Sequence, residues 1–262
     1  MILRSLAEAT NEVGIAENTA LKVSVAHDFL PKQMSLRASA VMDHFGVGFE
    51  TGRHVIAEDL KLPIRPGDVV SFTGESGSGK SSLMRAAASQ LPGVVDIDRL
   101  ELGESILVEG LGECFNGAAR RLALCGVGEA HLMLRRPSEL SDGQRYRFRL
   151  ARALGQRPRW IMADEFTATL DRTLAKVIAF NLARHARTSK TGFLLATTHE
   201  DILADLQPTL HVRCALDGPP LVSRHERKKK ASVSAASCGS AAGPSPTGRT
   251  SLGGIIAATA SG

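Results

Sequence analysis

Residues 69–73, VVSFT, run straight into 74–81, GESGSGKS. An apolar β-rich run, a loop with glycine at 74, 77 and 79, and then lysine and serine read as strand, phosphate-binding loop and helix. The glycines let the backbone wind closely around phosphate oxygens with successive N–H groups turned inward. The helix that opens behind them adds about half a positive elementary charge at its N-terminus. Lys80 supplies a flexible point charge to the outer phosphates of a nucleoside triphosphate, and the Ser81 hydroxyl is suited to ligate Mg²⁺. The expected phosphate cradle is therefore Gly74, Glu75, Ser76, Gly77, Ser78, Gly79, Lys80, Ser81 and Ser82.

A second apolar run, WIMADEF at 160–166, ends in adjacent carboxylates 84 residues after Lys80. Asp164 suits a hard cation such as Mg²⁺. Glu165, one residue on, is placed to accept a proton from an attacking water, a role typically worth about 10²–10⁴ in rate. Between these motifs lies LSDGQ at 140–144, followed by an arginine-rich run.

Periodicity organises the rest. SLRASAVMDH at 35–44 predicts a helix with Leu36, Ala40 and Val41 on one face, and FGVGFETG at 45–52 predicts a strand by the alternation of Phe45, Val47 and Phe49. A Pro66-Gly67 turn leads into the strand Val69 to Thr73. The helix behind the phosphate loop should carry Lys80, Leu83, Met84 and Ala87 and stop before Pro92. The stretch from Val94 to Pro137 is unclear, apart from a helical candidate at 118–124. SDGQRYRFRLARAL predicts a helix capped by Ser141 or Asp142. Trp160 to Ala163 reads as a strand, Leu174 to Arg187 as a helix, and Gly192 to Thr197 as a strand. Strands separated by helices imply an α/β fold with a mainly parallel sheet flanked by helices.

The expected boundaries are a weakly ordered segment at 1–34, a nucleotide-binding domain at 35–222, and a basic, low-complexity tail at 223–262 too poor in large apolar groups to pack. The net charge of +5 comes from 32 basic and 27 acidic residues. Arg224, Arg227, Lys228, Lys229, Lys230 and Arg249 against Glu226 account for all of it, which leaves residues 1–222 neutral overall. The basic cluster is a solvated tail or a contact for nucleic acid. The four cysteines, Cys114, Cys125, Cys214 and Cys238, show no C-x-x-C spacing. They read as reduced thiols, with no zinc site expected. No run approaches the roughly 20 apolar residues of a membrane helix, so the expectation is a cytoplasmic protein.

In order and spacing these motifs resemble those of the ATP-binding-cassette (ABC) ATPases over about 45–215. LSDGQ looks like the signature that, in that family, caps the ATP held by a second subunit. The resemblance implies a P-loop NTPase fold with an antiparallel β portion, ATP and Mg²⁺ as ligands, and an ATP-dependent homodimer. Ser141, Gly143 and Gln144 would then face the partner's ATP. Asp171, in TATLDRT, would be the acid of the D-loop. His199, after LLATT, would be the switch histidine at the γ-phosphate, and Phe49 would be the aromatic beside adenine. Arg145, Arg149 and Arg152 share one helical face, read as solvated or packed against acids.

Two departures stand out. Asp142 replaces the first signature glycine, and no glutamine occurs between Gln90 and Gln144, where the family's Q-loop glutamine belongs. Glu109 is one candidate replacement. Lys80 and Ser141 are 61 residues apart, an interval that implies a trimmed helical subdomain. The segments 45–52 and 135–154 look most like a soluble group of ABC-type ATPases, some of which are joined to an acetyltransferase-like domain; no such domain fits here. The leading expectation is a stand-alone cytosolic ATPase that dimerises around two ATP molecules. The alternatives are the ATP-binding subunit of a membrane transporter, with its permease a separate chain, and a nucleic-acid-associated ATPase.

Overall fold

The computed structural model describes residues 20–28, 30, 33–48 and 53–226. All belong to one unit spanning Met1–Arg227; the other, Lys228–Gly262, lies outside the described residues. So do residues 1–19 of the 1–34 segment, read as weakly ordered, and residues 227–262 of the low-complexity tail.

Along the chain run β1 (Leu21–Asp28), α1 (Leu36–Phe45), β2 (Arg53–Leu62), β3 (Val69–Thr73), α2 (Lys80–Ala88), β4 (Val94–Asp96), α3 (Leu107–Gly110), α4 (Phe115–Leu124), α5 (Ala130–Met133), α6 (Asp142–Gly155), β5 (Trp160–Ala163), α7 (Arg172–Ser189), β6 (Gly192–Thr197), α8 (Leu203–Leu206), β7 (Leu210–Arg213) and β8 (Leu221–Arg224). The main sheet has the order β4-β5-β6-β3-β7-β8. It is parallel except for β8, which runs antiparallel to β7. Strands β1 and β2 form a separate antiparallel pair.

Strands β3, β5 and β6 are largely apolar and buried at every residue, because the sheet is covered on both faces. Successive side chains point to opposite sides, which splits them between two cores. Val69, Ile161, Ala163, Phe193 and Leu195 pack with α6 and α7. Val70, Phe72, Trp160, Met162, Leu194 and Ala196 pack with α2 and the antiparallel pair. Helix α7 turns Ala175, Ile178, Ala179, Leu182, Ala183 and Ala186 inward, the i, i+3, i+4, i+7 stripe of a helix on a sheet. Thr209 fixes the register of β7 beside β3. Its hydroxyl donates to the Val69 carbonyl at 3.2 Å and accepts from the Val69 N–H at 3.1 Å.

Gly192 opens β6 directly opposite Trp160 on β5. A Cβ there would lie 2.2 Å from the Trp160 ring, and that ring is buried. Gly192→Ala is therefore expected to lower stability by about 1–3 kcal/mol through overpacking. Urea denaturation checks this, and an unshifted midpoint would contradict it.

Several expectations are corrected. Phe45 does not begin a strand. It ends α1, because Gly46 takes a left-handed φ of 65° and returns its N–H to the Met42 carbonyl, a glycine helix stop. Val47 lies in the following loop, and Phe49 lies outside the described residues. Helix α1 is present with Ser35 as its N-cap, but its apolar face is exposed, Leu36 by 92%. Strand β1 falls inside the segment read as weakly ordered. At the other end, β8 carries the folded unit through Arg224, whose guanidinium pairs with buried Asp68 at 3.1 Å. The unit thus extends past both expected boundaries.

Candidate active site

Because β3, β5 and β6 run parallel and in register, Thr73, Ala163 and Thr197 end at one edge of the sheet. Ligands of parallel α/β sheets bind at this carboxyl edge. The phosphate loop leaves β3 here, and the acidic pair leaves β5. A cavity of about 500 Å³ opens between them, with Lys80, Ser81, Asp164, Glu165 and Thr197 on its wall.

The loop has the backbone its glycines imply. Gly74, Gly77 and Gly79 have φ of 137°, 84° and 83°, values that disfavour any side chain. A Cβ on Gly74 would sit 2.1 Å from the Cys214 carbonyl, and one on Gly79 would sit 2.6 Å from Ile56. Ser78 is buried and holds the loop by donating to the Glu75 carbonyl at 2.8 Å. Glu75, Ser76 and Gly77 form the exposed rim. Lys80 lies under the loop and its ammonium donates to the same Glu75 carbonyl. Burial lowers the Lys80 pKa, while Cys214, Asp164 and Glu165 pull it back up. Burial also pushes the Cys214 thiol up, to about 11.

The Ser81 hydroxyl donates to Asp164 Oδ1 at 2.7 Å, so the two residues expected to hold a cation share one hydrogen bond. The other Asp164 oxygen pairs with Arg85 at 2.7 Å. Glu165 is exposed, has a left-handed φ of 47°, and turns its backbone N–H to Asp164 Oδ1 at 3.0 Å. That conformation costs a non-glycine residue roughly 1–3 kcal/mol and turns the glutamate out of the strand direction. Among the described residues, no three His, Cys, Asp or Glu side chains could hold a metal ion together. Ser81 and Asp164 fit Mg²⁺, which takes one or two protein ligands and completes its shell with phosphates and water.

The signature residues sit at the start of α6. Ser141 is exposed and caps the helix: it accepts from the Gln144 N–H at 3.3 Å, and Gln144 Oε1 accepts from the Ser141 N–H at 3.1 Å. This is a reciprocal capping box. Gly143 packs against the loop after β5, since a Cβ there would lie 2.9 Å from the Thr169 carbonyl. The Asp142 carboxylate points to solvent, 88% exposed, and pairs with Arg145 at 3.2 Å. Arg145 and Arg149 line a second cavity beside Asp164 and Glu165, whereas Arg152 donates to the Leu102 carbonyl. Asp171 is the N-cap of α7 and accepts from the Leu174 N–H at 2.9 Å. His199 is half-buried with its N–H on Thr197 Oγ1 at 3.0 Å. The first cavity is lined by Thr197 and Thr198, not by His199 itself.

Glu109, the candidate replacement for the missing glutamine, stands apart from both cavities. It is exposed on α3 and lines neither cavity at the acidic pair. Asp98, in the 3₁₀ turn directly after β4, lines the second cavity instead. The sequence reading also missed His27 and His54, paired across β1 and β2 and both lining the phosphate cavity. His27 Nε2 lies 2.9 Å from the Ser82 hydroxyl.

The comparisons with known proteins agree with this geometry. No protein-family model matches the chain. The phosphonates import ATP-binding protein PhnC of Burkholderia pseudomallei is 30% identical over 233 residues, covering 68% of this chain and 75% of that protein. The chain belongs to the ABC-type ATPase family. The lipoprotein-releasing system ATP-binding protein LolD of Bordetella avium matches this ABC-type chain at 28% identity, covering 68% of it and 95% of the relative. Among solved structures, the post-hydrolysis dimer of the ATP-binding cassette MJ0796, bound to ADP and Pi, superimposes with a TM-score of 0.55 at 17% identity. It covers 78% of this cassette and 97% of that chain. Like these relatives, the ABC-type chain binds ATP and is an ATPase.

Proposed function

We propose that this ATPase is the ATP-binding subunit of a membrane transporter and works as a dimer around two ATP molecules. PhnC and LolD, both named as ATP-binding proteins of an import or release system, support the transporter reading over a free-standing enzyme. The observation that carries the ATPase chemistry is the Ser81–Asp164 hydrogen bond at 2.7 Å, which joins the phosphate loop to the acidic strand end.

In this reading the loop N–H groups and Lys80 bind the phosphates, Lys80 exchanging the Glu75 carbonyl for phosphate oxygens. Ser81 and Asp164 hold Mg²⁺, which when bound neutralises charge on the phosphate oxygens. Arg85 must then give up its Asp164 oxygen, a small cost because the guanidinium is more than half exposed. Glu165 takes the proton of the attacking water, and His199 turns to the γ-phosphate. Ser141 and Gly143, at an exposed helix start, offer a hydroxyl and N–H groups to the ATP of a second copy.

No described helix is long and apolar enough to cross a membrane; in this reading the permease is a partner. A tagged Glu165→Gln protein, extracted from membranes with ATP and Mg²⁺, is expected to retain an integral membrane protein. Recovery of the ATPase alone would favour the stand-alone enzyme. Two features support that second reading: the short α3, α4 and α5 between the phosphate loop and α6, and the missing glutamine. The nucleic-acid reading has lost one of its cations, since Arg224 is engaged with Asp68 and the Pro63 carbonyl. The cluster at 227–230 lies outside the described residues.

A further inference from the structure

The second cavity, about 220 Å³, is lined by Asp98, Tyr146, Arg149, Asp164 and Glu165 among others. Strand β4 brings Asp98 there. It pairs with β5 in register, Asp96 opposite Met162, so the turn that follows β4 emerges beside Asp164. Asp96 is consumed in that turn, accepting from the Asp98 N–H at 3.0 Å and pairing with Arg99 at 3.4 Å. Asp98 lines the cavity, with its carboxyl against the Asp164 backbone N–H. Tyr146 enters from α6 and is only 7% exposed; its buried hydroxyl lies beside the Thr167 backbone N–H and finds no hydrogen-bond acceptor. The phenol lies within electrostatic reach of both the Asp98 and Asp164 carboxylates. A buried donor left unpaired is costly and calls for a function or a bound group.

Arg145 and Arg149 on the same wall disfavour a metal ion, and the space is sufficient for several waters at about 30 Å³ each. We propose that Asp98 and Tyr146 are positioning residues for the attacking water, holding it from the far side while Glu165 takes its proton. The phenol donates to the water or to one bridging it, and the Asp98 carboxylate accepts. The inference rests on the ATPase reading of the first cavity and extends it to side chains that no motif marks.

The test uses the full chain with Asp98→Asn and Tyr146→Phe, each close in shape to the original. Both are expected to lower kcat about tenfold or more, while KM for ATP stays within about twofold of the wild type. Because both act on one water, the double variant should lose little more than the worse single. Tyr146→Phe should melt no lower than the wild type, since it removes an unpaired hydroxyl. Unchanged kcat in both variants would overturn the inference, as would losses matched by equal losses of ATP affinity or melting temperature. A wild-type chain that binds ATP without hydrolysing it would overturn the underlying mechanism as well, whereas a hydrolysing wild type with unaffected variants would overturn the water-positioning role alone.

Discussion

Lys80→Ala is expected to remove ATP binding at concentrations that saturate the wild type. The Lys80 side chain is buried beneath the glycine loop and its ammonium rests on the Glu75 carbonyl at the cavity wall, so a triphosphate entering the loop meets a cation already in place. Truncating one partner of a desolvated charge pair typically costs about 2–5 kcal/mol, or roughly 30-fold to several-thousand-fold in affinity. The pH dependence has a definite sign. Burial lowers the Lys80 pKa from its ordinary value, and only the protonated form attracts phosphate. Affinity should therefore fall as pH rises through that lowered pKa, at a lower pH than an exposed lysine would show. Calorimetric titration with ATP across alkaline pH measures both effects. Undiminished affinity in the alanine variant would remove the loop from nucleotide binding.

Glu165→Gln should separate hydrolysis from binding. The side chain is exposed on the cavity wall, and the residue's hydrogen bond to Asp164 comes from its backbone N–H, so a neutral isostere leaves that contact and the cradle intact. Loss of a positioned base is worth about 10²–10⁴ in kcat. Removal of a negative charge beside the terminal phosphate should also favour the ATP-bound state. The expected result is a variant that binds ATP with wild-type or better affinity and accumulates as a dimer in size-exclusion chromatography with ATP and Mg²⁺. Wild-type turnover would exclude Glu165 as the base. A variant that binds ATP but remains monomeric would count against the pairing of Ser141 with a second copy's nucleotide.

Fully buried elements were read from sequence to the residue. Strands β3, β5 and β6 are short apolar runs closed by turn residues, so composition and boundary coincide. Helix α6 was legible to within a residue: its cap was expected at Ser141 or Asp142, and Ser141 with Gln144 supplies it. Strand β1 was not, since only Val23 of its eight residues is buried and its pairing is with residues some thirty positions on. Strand β4 is three residues long and only half-buried. The strand expected at Phe45 failed because one glycine in the left-handed region overrides an apolar alternation.

The same division runs through the site. Phosphate loop, acidic pair and signature were visible in the chain because each satisfies a local requirement: glycines where φ must be positive, a serine where a helix begins, carboxylates where a buried strand reaches water. His27 beside Ser82, and Asp98 and Tyr146 on the wall they share with Asp164, carry no local mark. Each becomes functional only when strand order and register bring distant segments to one edge of the sheet. Backbone conformation is dictated by neighbours along the chain, whereas the company a side chain keeps is decided by which surfaces can be buried together.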